Sequence, residues 1–360
     1  MMLDFLRTII AFVFEIGVLI FVHEMGHYLA ARSQGVTVET FSIGFGPALL
    51  RRRAKSGTVW QVSVIPLGGY VKMLGWGDDQ GSASARPGSF GAASLSSKAV
   101  IVAAGPLANL LLAVVVYAGL FMTAGQLTTQ PVLSQIQPGS SAAASHLLAG
   151  DRVLAIGSAP IKNFVDLQQI VVAHPDSVLD FTIERAGKQL MLPVTVGQAS
   201  MDGTEIGRLG VVGTESSLKR LLPGQAIAAA FQETGQQISG WFAGMSSLIV
   251  QHRGLRDLAG PLGIAQISGQ AAALGVVAMV NLIALLSINL GLVNLIPIPI
   301  LDGGHLLFYA VEGLIRRPVP EQAREAGLRV GVAIILSLVM LVTFNDLTRL
   351  GAVAWFTHLL

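Results

Sequence analysis

The string His23-Glu24-Met25-Gly26-His27 carries two imidazoles four residues apart, with a carboxylate next to the first. On a helix that spacing puts both rings on one face, where they can share one zinc ion. Glu24 is then at hand to take a proton from zinc-bound water. In a soluble protein such a string could be an accident of a charged helix surface. Here three ionisable groups sit at the end of an apolar stretch, where each is costly without a partner, and the pattern points to a metal-dependent hydrolase.

A catalytic zinc takes a third protein ligand and leaves its fourth position to water. His146, His174, His252 and His358 lie outside the apolar stretches, Glu312 lies near a basic loop, and Asp346 at the end of the last stretch. That leaves Asp302 and His305, in the run Asn294-Leu-Ile-Pro297-Ile-Pro299-Ile-Leu301-Asp302-Gly303-Gly304-His305. The two prolines remove backbone donors and break a helix, so the run can turn Asp302 into a polar cavity. Asp302 is the better ligand on these grounds. His305 remains the alternative, since imidazole is the commoner zinc partner.

The elements that must hold these groups are membrane helices. The chain has 360 residues, of which 52% are apolar and 12% charged, and its mean hydropathy is +0.65. A soluble domain carries about twice that charge. There is no cysteine, which excludes a disulfide framework and a thiolate ligand or nucleophile. A net charge of +2 without a long basic run gives no reason to expect a nucleic-acid partner.

Four stretches, near residues 8–31, 99–124, 275–297 and 328–344, approach the roughly 20 apolar residues of a spanning helix. The first is read as retained rather than cleaved, because the chemistry lies inside it. Residues 32–98 carry eight Lys/Arg against three acids, which predicts a cytoplasmic loop. The N-terminus and residues 125–274 then lie outside. Arg316, Arg317 and Arg324 in the next loop agree with that count.

The expected organisation is a polytopic α-helical membrane protein with an inserted extracytoplasmic α+β domain and a membrane-associated β-hairpin. Residues 1–124 form the first part of the membrane core and 125–222 the inserted domain. Residues 223–274 form interfacial helices, the run 224–249 being too polar for a span, and 275–360 complete the core. In the inserted domain, PVLSQIQPGS reads as strand and turn, NFVDLQQIVVA as a helix, and LDFTIER with LMLPVTV as a hairpin around Ala186-Gly187-Lys188. The pattern resembles a bacterial PDZ domain, which would hold a peptide or substrate tail by strand addition; a spacer with no ligand is the alternative. Glu15, eight residues before His23, is read as a snorkelling or water-facing carboxylate, a role in a proton or water path being the alternative.

The HEMGH string in the first span, the N-x-x-P-x-P-x-L-D-G-G run after the third and the PDZ-like insert together resemble the site-2 protease family, in particular its RseP-type bacterial members. Phe41-Ser-Ile-Gly44-Phe-Gly46-Pro47, Pro66-Leu-Gly68-Gly69-Tyr70-Val-Lys72-Met73, Gly105-Pro106-Leu-Ala-Asn109 and Gly260-Pro261 extend the resemblance along the chain. It implies one zinc per chain held by His23, His27 and Asp302, Glu24 as the catalytic acid/base, and Asn294 holding substrate backbone. It also implies a bacterial inner-membrane protein, and as substrate a single-span membrane protein such as an anti-sigma factor or a remnant signal peptide. Enteric members have two tandem PDZ domains, and this chain has room for one.

A substrate helix must be extended before it can be cut, so a strand edge is expected near the zinc. Residues 58–65 alternate Trp60, Val62 and Val64 with polar residues and lead to Gly68 and Gly69, and the run 58–73 is expected to take an extended substrate by strand addition, aided by the Asn294 side chain. Two rivals remain. A transporter would also bury ionisable groups beside broken helices, but no repeat relates 1–124 to 275–360. A non-catalytic PDZ membrane scaffold would not need Glu24 beside two ligand-spaced histidines.

Overall fold

A computed structural model describes residues 2–76, 86–128, 130–201, 204–213, 217–251 and 260–349. His252 and His358 lie outside the described residues. The chain divides into two compact units, residues 1–120 with 223–360, and residues 121–222.

The first unit opens with helix α1 (Met2–Ser33), strands β1 (Val38–Arg53) and β2 (Val59–Met73), and helix α2 (Leu95–Thr123). At 1.5 Å per residue, α1 and α2 both exceed the roughly 30 Å of a hydrocarbon core. β1 and β2 each double back. Gly44 and Gly46 adopt φ of 88° and 85° ahead of Pro47, and Gly68 adopts 111° just after Pro66. The bends let residues 40–43 pair with 69–72 on one side and 59–62 on the other, and 59–63 pair in turn with 48–53. One row across the sheet is Tyr70, Ser42, Gln61, Arg51. Its polar members are tied together, Gln61 Nε2 donating to Tyr70 Oη at 3.0 Å and to Ser42 Oγ at 3.2 Å.

This narrows the expected pairing strand, 58–73, to its second half, because 59–63 has no free edge: Trp60 lies between Phe41 and Arg52, and Val62 between Ile43 and Leu50. The alternation of apolar and polar residues was real, but the glycine and proline bends that fill both edges leave no periodic trace. Among the described residues the open edges are those of 48–53 and 69–73.

The second unit holds strands β3 (Gln126–Thr128) and β4 (Leu133–Ile136), helix α3 (Ser141–Ala144), β5 (Arg152–Ile156), β6 (Ala159–Pro160), helix α4 (Phe164–Val172), β7 (Val178–Arg185), β8 (Lys188–Thr195), β9 (Gly197–Met201), β10 (Thr204–Arg208), β11 (Val211–Gly213) and β12 (Ser217–Lys219). Four strands form a sheet in the order β6-β5-β7-β8, and β4 pairs with β11. The β7–β8 turn uses Ala186 and Gly187, both at positive φ, the geometry that matches strand twist in a two-residue hairpin. Asn163 starts α4 with a reciprocal capping box to Asp166. Leu133, Val153, Phe181, Ile183, Val194 and Val196 fill the core.

Within it, Asp151 is buried and takes two bonds from Arg185, Nε to Oδ1 and a terminal nitrogen to Oδ2, both at 2.7 Å. Burial pushes the Asp151 carboxyl up, but the Arg185 bonds and the Leu148 N–H outweigh it and hold the carboxyl below its ordinary value.

The chain then returns to the first unit as α5 (Pro223–Gln251), α6 (Pro261–Leu274), α7 (Val276–Asn294), α8 (Asp302–Ile315) and α9 (Glu321–Arg349). Helices α1, α2, α7 and α9 are long and apolar enough to cross a membrane. α6 packs along α1, where Gly269 lies so close to Thr8 that any side chain would collide. Glu15 is enclosed on that side: it is fully buried and neither carboxyl oxygen has a hydrogen-bond partner. The expectation that it reaches water is therefore corrected, because α6 covers the face of α1 that the sequence left open. Asp346 of α9 caps α6, accepting from Gly260 N at 3.0 Å and Gly263 N at 2.9 Å.

Candidate metal centre

His23 and His27 lie one turn apart on the inner face of α1, both buried. Their Nε2 atoms are 3.3 Å apart. Asp302 Oδ2 completes the triangle, 3.1 Å from His23 Nε2 and 3.5 Å from His27 Nε2. Tetrahedral zinc with ligands at roughly 2.0–2.1 Å sets its donor atoms about 3.3–3.4 Å apart, so the three atoms already have the spacing one ion requires. Asp302 Oδ2 is moreover buried without a properly directed hydrogen bond. Three acceptor-capable atoms turned toward one point, with only one another as polar neighbours, fit a cation. Among the described residues these are the three that could hold a metal together.

Each ligand is placed by a local feature of the sequence. The run after α7 leaves the helix at Leu295, and α8 begins at Asp302 itself. A carboxylate in the first turn of a helix meets the positive end of its dipole. Gly303 and Gly304 let this happen: a side chain on Gly303 would overlap the carbonyls of Leu295 and Ile296, and one on Gly304 the Ile298 carbonyl and the Pro299 Cα.

His27 Nδ1 donates to the Ile101 carbonyl at 2.9 Å, which leaves Nε2 with its lone pair for a metal. Gly105, one turn further along α2, lies against the His27 ring so closely that a Cβ there would run into it. The Asn109 side-chain amide lies 3.3 Å from His23 Nδ1. In the sequence Gly105 and Asn109 stand out only as part of a matching stretch, and Ile101 not at all. The available signal was their four-residue spacing, 101, 105 and 109, which parallels 23 and 27.

Glu24 is buried beside the ligands, and the Gly69 backbone runs against it: a Cβ at Gly69 would come within 3.0 Å of Glu24 Cγ. The open 69–73 edge thus begins at the carboxylate. Gly68 turns under the Phe45 ring. Trp60 stacks on Phe41 at 4.4 Å and meets Tyr28 at 5.2 Å, and Val62 and Val64 are exposed. Asn294, at the end of α7, donates its Nδ2 to the Leu290 carbonyl at 3.0 Å. His305 stands outside the triangle, its ring edge-on to Trp76 at 5.8 Å.

Comparison with known proteins adds three relatives and one family. The description of peptidase family M50 matches residues 11–338. A protein of Agrobacterium fabrum named as an inferred zinc metalloprotease is 38% identical over 362 residues, covering 95% of this chain and 96% of its own. One of Rhizobium meliloti, named likewise, is 37% identical, covering 97% and 99%. The regulator of sigma-E protease RseP of Salmonella typhimurium is 31% identical over 97% of this chain and 100% of its own. That alignment runs to 450 positions against a chain of 360, so the Salmonella protein holds an insertion this chain lacks. A solved PDZ domain from Listeria monocytogenes is matched over 25% of this chain at 15% identity and a TM-score of 0.21, too slight to bear on function.

Proposed function

The chain belongs to peptidase family M50, and on that premise we propose that His23, His27 and Asp302 hold its zinc while Glu24 moves the proton. The protein is a zinc metalloprotease of the kind that works inside membranes, with several apolar helices to hold it there. The observation that carries the residue assignment is the triangle of donor atoms at 3.1, 3.3 and 3.5 Å.

Zinc at this triangle supplies a Lewis acid that brings the pKa of water down to about 7. The chain does the rest. Glu24 takes the proton of the attacking water as its oxygen adds to the scissile carbonyl carbon, then passes that proton to the amide nitrogen as the C–N bond breaks. The products are a carboxyl and an amine.

Substrate enters this scheme as an extended strand along 69–73, the open edge that starts at Gly69 beside Glu24. Gly68 and Gly69 let this strand pack close against Phe45 and Glu24 and so bring its edge to the site, and Asn294 offers Oδ1, its Nδ2 being engaged by Leu290. Trp60, Val62 and Val64 contact substrate through side chains alone. The substrate class is a single-span membrane protein, an anti-sigma factor or a remnant signal peptide. Residues 121–222 form a PDZ-like module on the outer side of a bacterial inner membrane. Its edge strand β8, with no strand beyond it among the described residues, can receive a peptide or substrate tail.

The test is the metal content of purified protein. The wild type should hold one zinc per chain and Asp302→Asn should hold far less. Full zinc in Asp302→Asn would remove Asp302 from the ligand set.

A further inference from the structure

The metal-facing nitrogens of His23 and His27 are both Nε2, so each ring must carry its proton on Nδ1, and that proton needs an acceptor. His27 has one in the Ile101 carbonyl. For His23 the partner at Nδ1 among the described residues is the Asn109 side chain, which is fully buried. The atom turned toward His23 Nδ1 is Asn109 Nδ2, a donor, while Oδ1 has no hydrogen-bond partner. Donor facing donor cannot stand once Nε2 ligates zinc. Amide oxygen and nitrogen are nearly the same size, and nothing holds Oδ1 where it is, so the group can turn over.

We propose that Asn109 is the positioning residue that sets the tautomer of His23, by presenting Oδ1 to its Nδ1–H when zinc is bound. α2 then serves both ligands through one stripe. Ile101 accepts from His27, Gly105 clears room for its ring, and Asn109 accepts from His23, at intervals of four that match the intervals on α1. α7 steadies the far end of the stripe, since Ser287 Oγ donates to the Asn109 carbonyl at 2.7 Å. The proposal rests on the ligand assignment above.

The experiment measures zinc affinity by chelator competition in the full-length protein in detergent, for the wild type, Asn109→Leu and Asn109→Asp, with thermal unfolding followed alongside. Aspartate can accept a hydrogen bond but not donate one. If Asn109 acts as an acceptor, Asn109→Leu weakens zinc about 10- to 100-fold and Asn109→Asp restores the wild-type affinity or exceeds it. A merely structural role predicts no such rescue. Asn109→Asp binding zinc as poorly as Asn109→Leu, or Asn109→Leu binding as well as the wild type, overturns the proposal.

If either variant does not fold, the ¹⁵N-histidine spectrum of the zinc-loaded wild type decides. It should show His23 metal-bound at Nε2 and protonated at Nδ1, and the reverse sinks the idea. Asp302→Asn retaining full zinc would instead indict the ligand assignment.

Discussion

Single residues set the chemistry here less by what they are than by what stands behind them. The HExxH string was legible because its spacing is a property of one helix, and Asp302 because two prolines and two glycines announce a broken one. The partners of the far imidazole nitrogens were not legible: they come from α2, some 74 and 86 residues away, and one is a backbone carbonyl with no sequence signature. Glu15 was misread for the same reason, since its cover, α6, follows about 250 residues later.

In the second unit one residue carries a pH dependence. The Asp151 carboxyl sits below its ordinary value of 3.8 in the folded chain. The stability it contributes is therefore present above about pH 4 and is lost as pH falls through the lower, folded value. Asp151→Asn should remove it at neutral pH and destabilise residues 121–222 by roughly 1–3 kcal/mol. Faster hydrogen exchange around 147–185 at pH 7, with the difference from wild type shrinking toward pH 2, is the expected reading. Equal exchange at pH 7 would show that the Arg185 pair contributes nothing.

At the scale of elements, the helices were readable from length and apolarity, while the sheet was readable only as strands. Where a strand bends is written in Gly44, Gly46 and Gly68, but which edges the bends leave open depends on pairing that no local period encodes. The structure narrows the expected pairing strand from 58–73 to 69–73, and this makes a sharper prediction. Successive N–H groups of a strand point to opposite sides, so of Tyr70 and Val71 one donates outward. Tyr70→Pro and Val71→Pro should between them include a variant that cuts at least about tenfold more slowly with zinc content intact. If both cut a membrane substrate at the wild-type rate, strand addition at this edge is wrong.

For the molecule as a whole, charge and hydropathy argue the orientation. Among the described residues four helices can span, and the excess of basic residues between the first two is the ground for proposing that this loop is cytoplasmic. The absence of native cysteine makes the test clean. A single cysteine at Ser56, between β1 and β2, should react with an impermeant thiol reagent only after the cells are opened, and one at Ser177 in the second unit should react in intact spheroplasts. The opposite pattern would invert the topology.

The central claim, that this buried triangle with Glu24 beside it hydrolyses peptide bonds in a membrane, is tested most directly by one substitution. Glu24→Gln, reconstituted with a single-span substrate, should keep one zinc per chain and lose cleavage by three orders of magnitude or more, on the order of a removed general base together with its charge. Cleavage that survives in Glu24→Gln at near the wild-type rate, with zinc bound, would contradict the account.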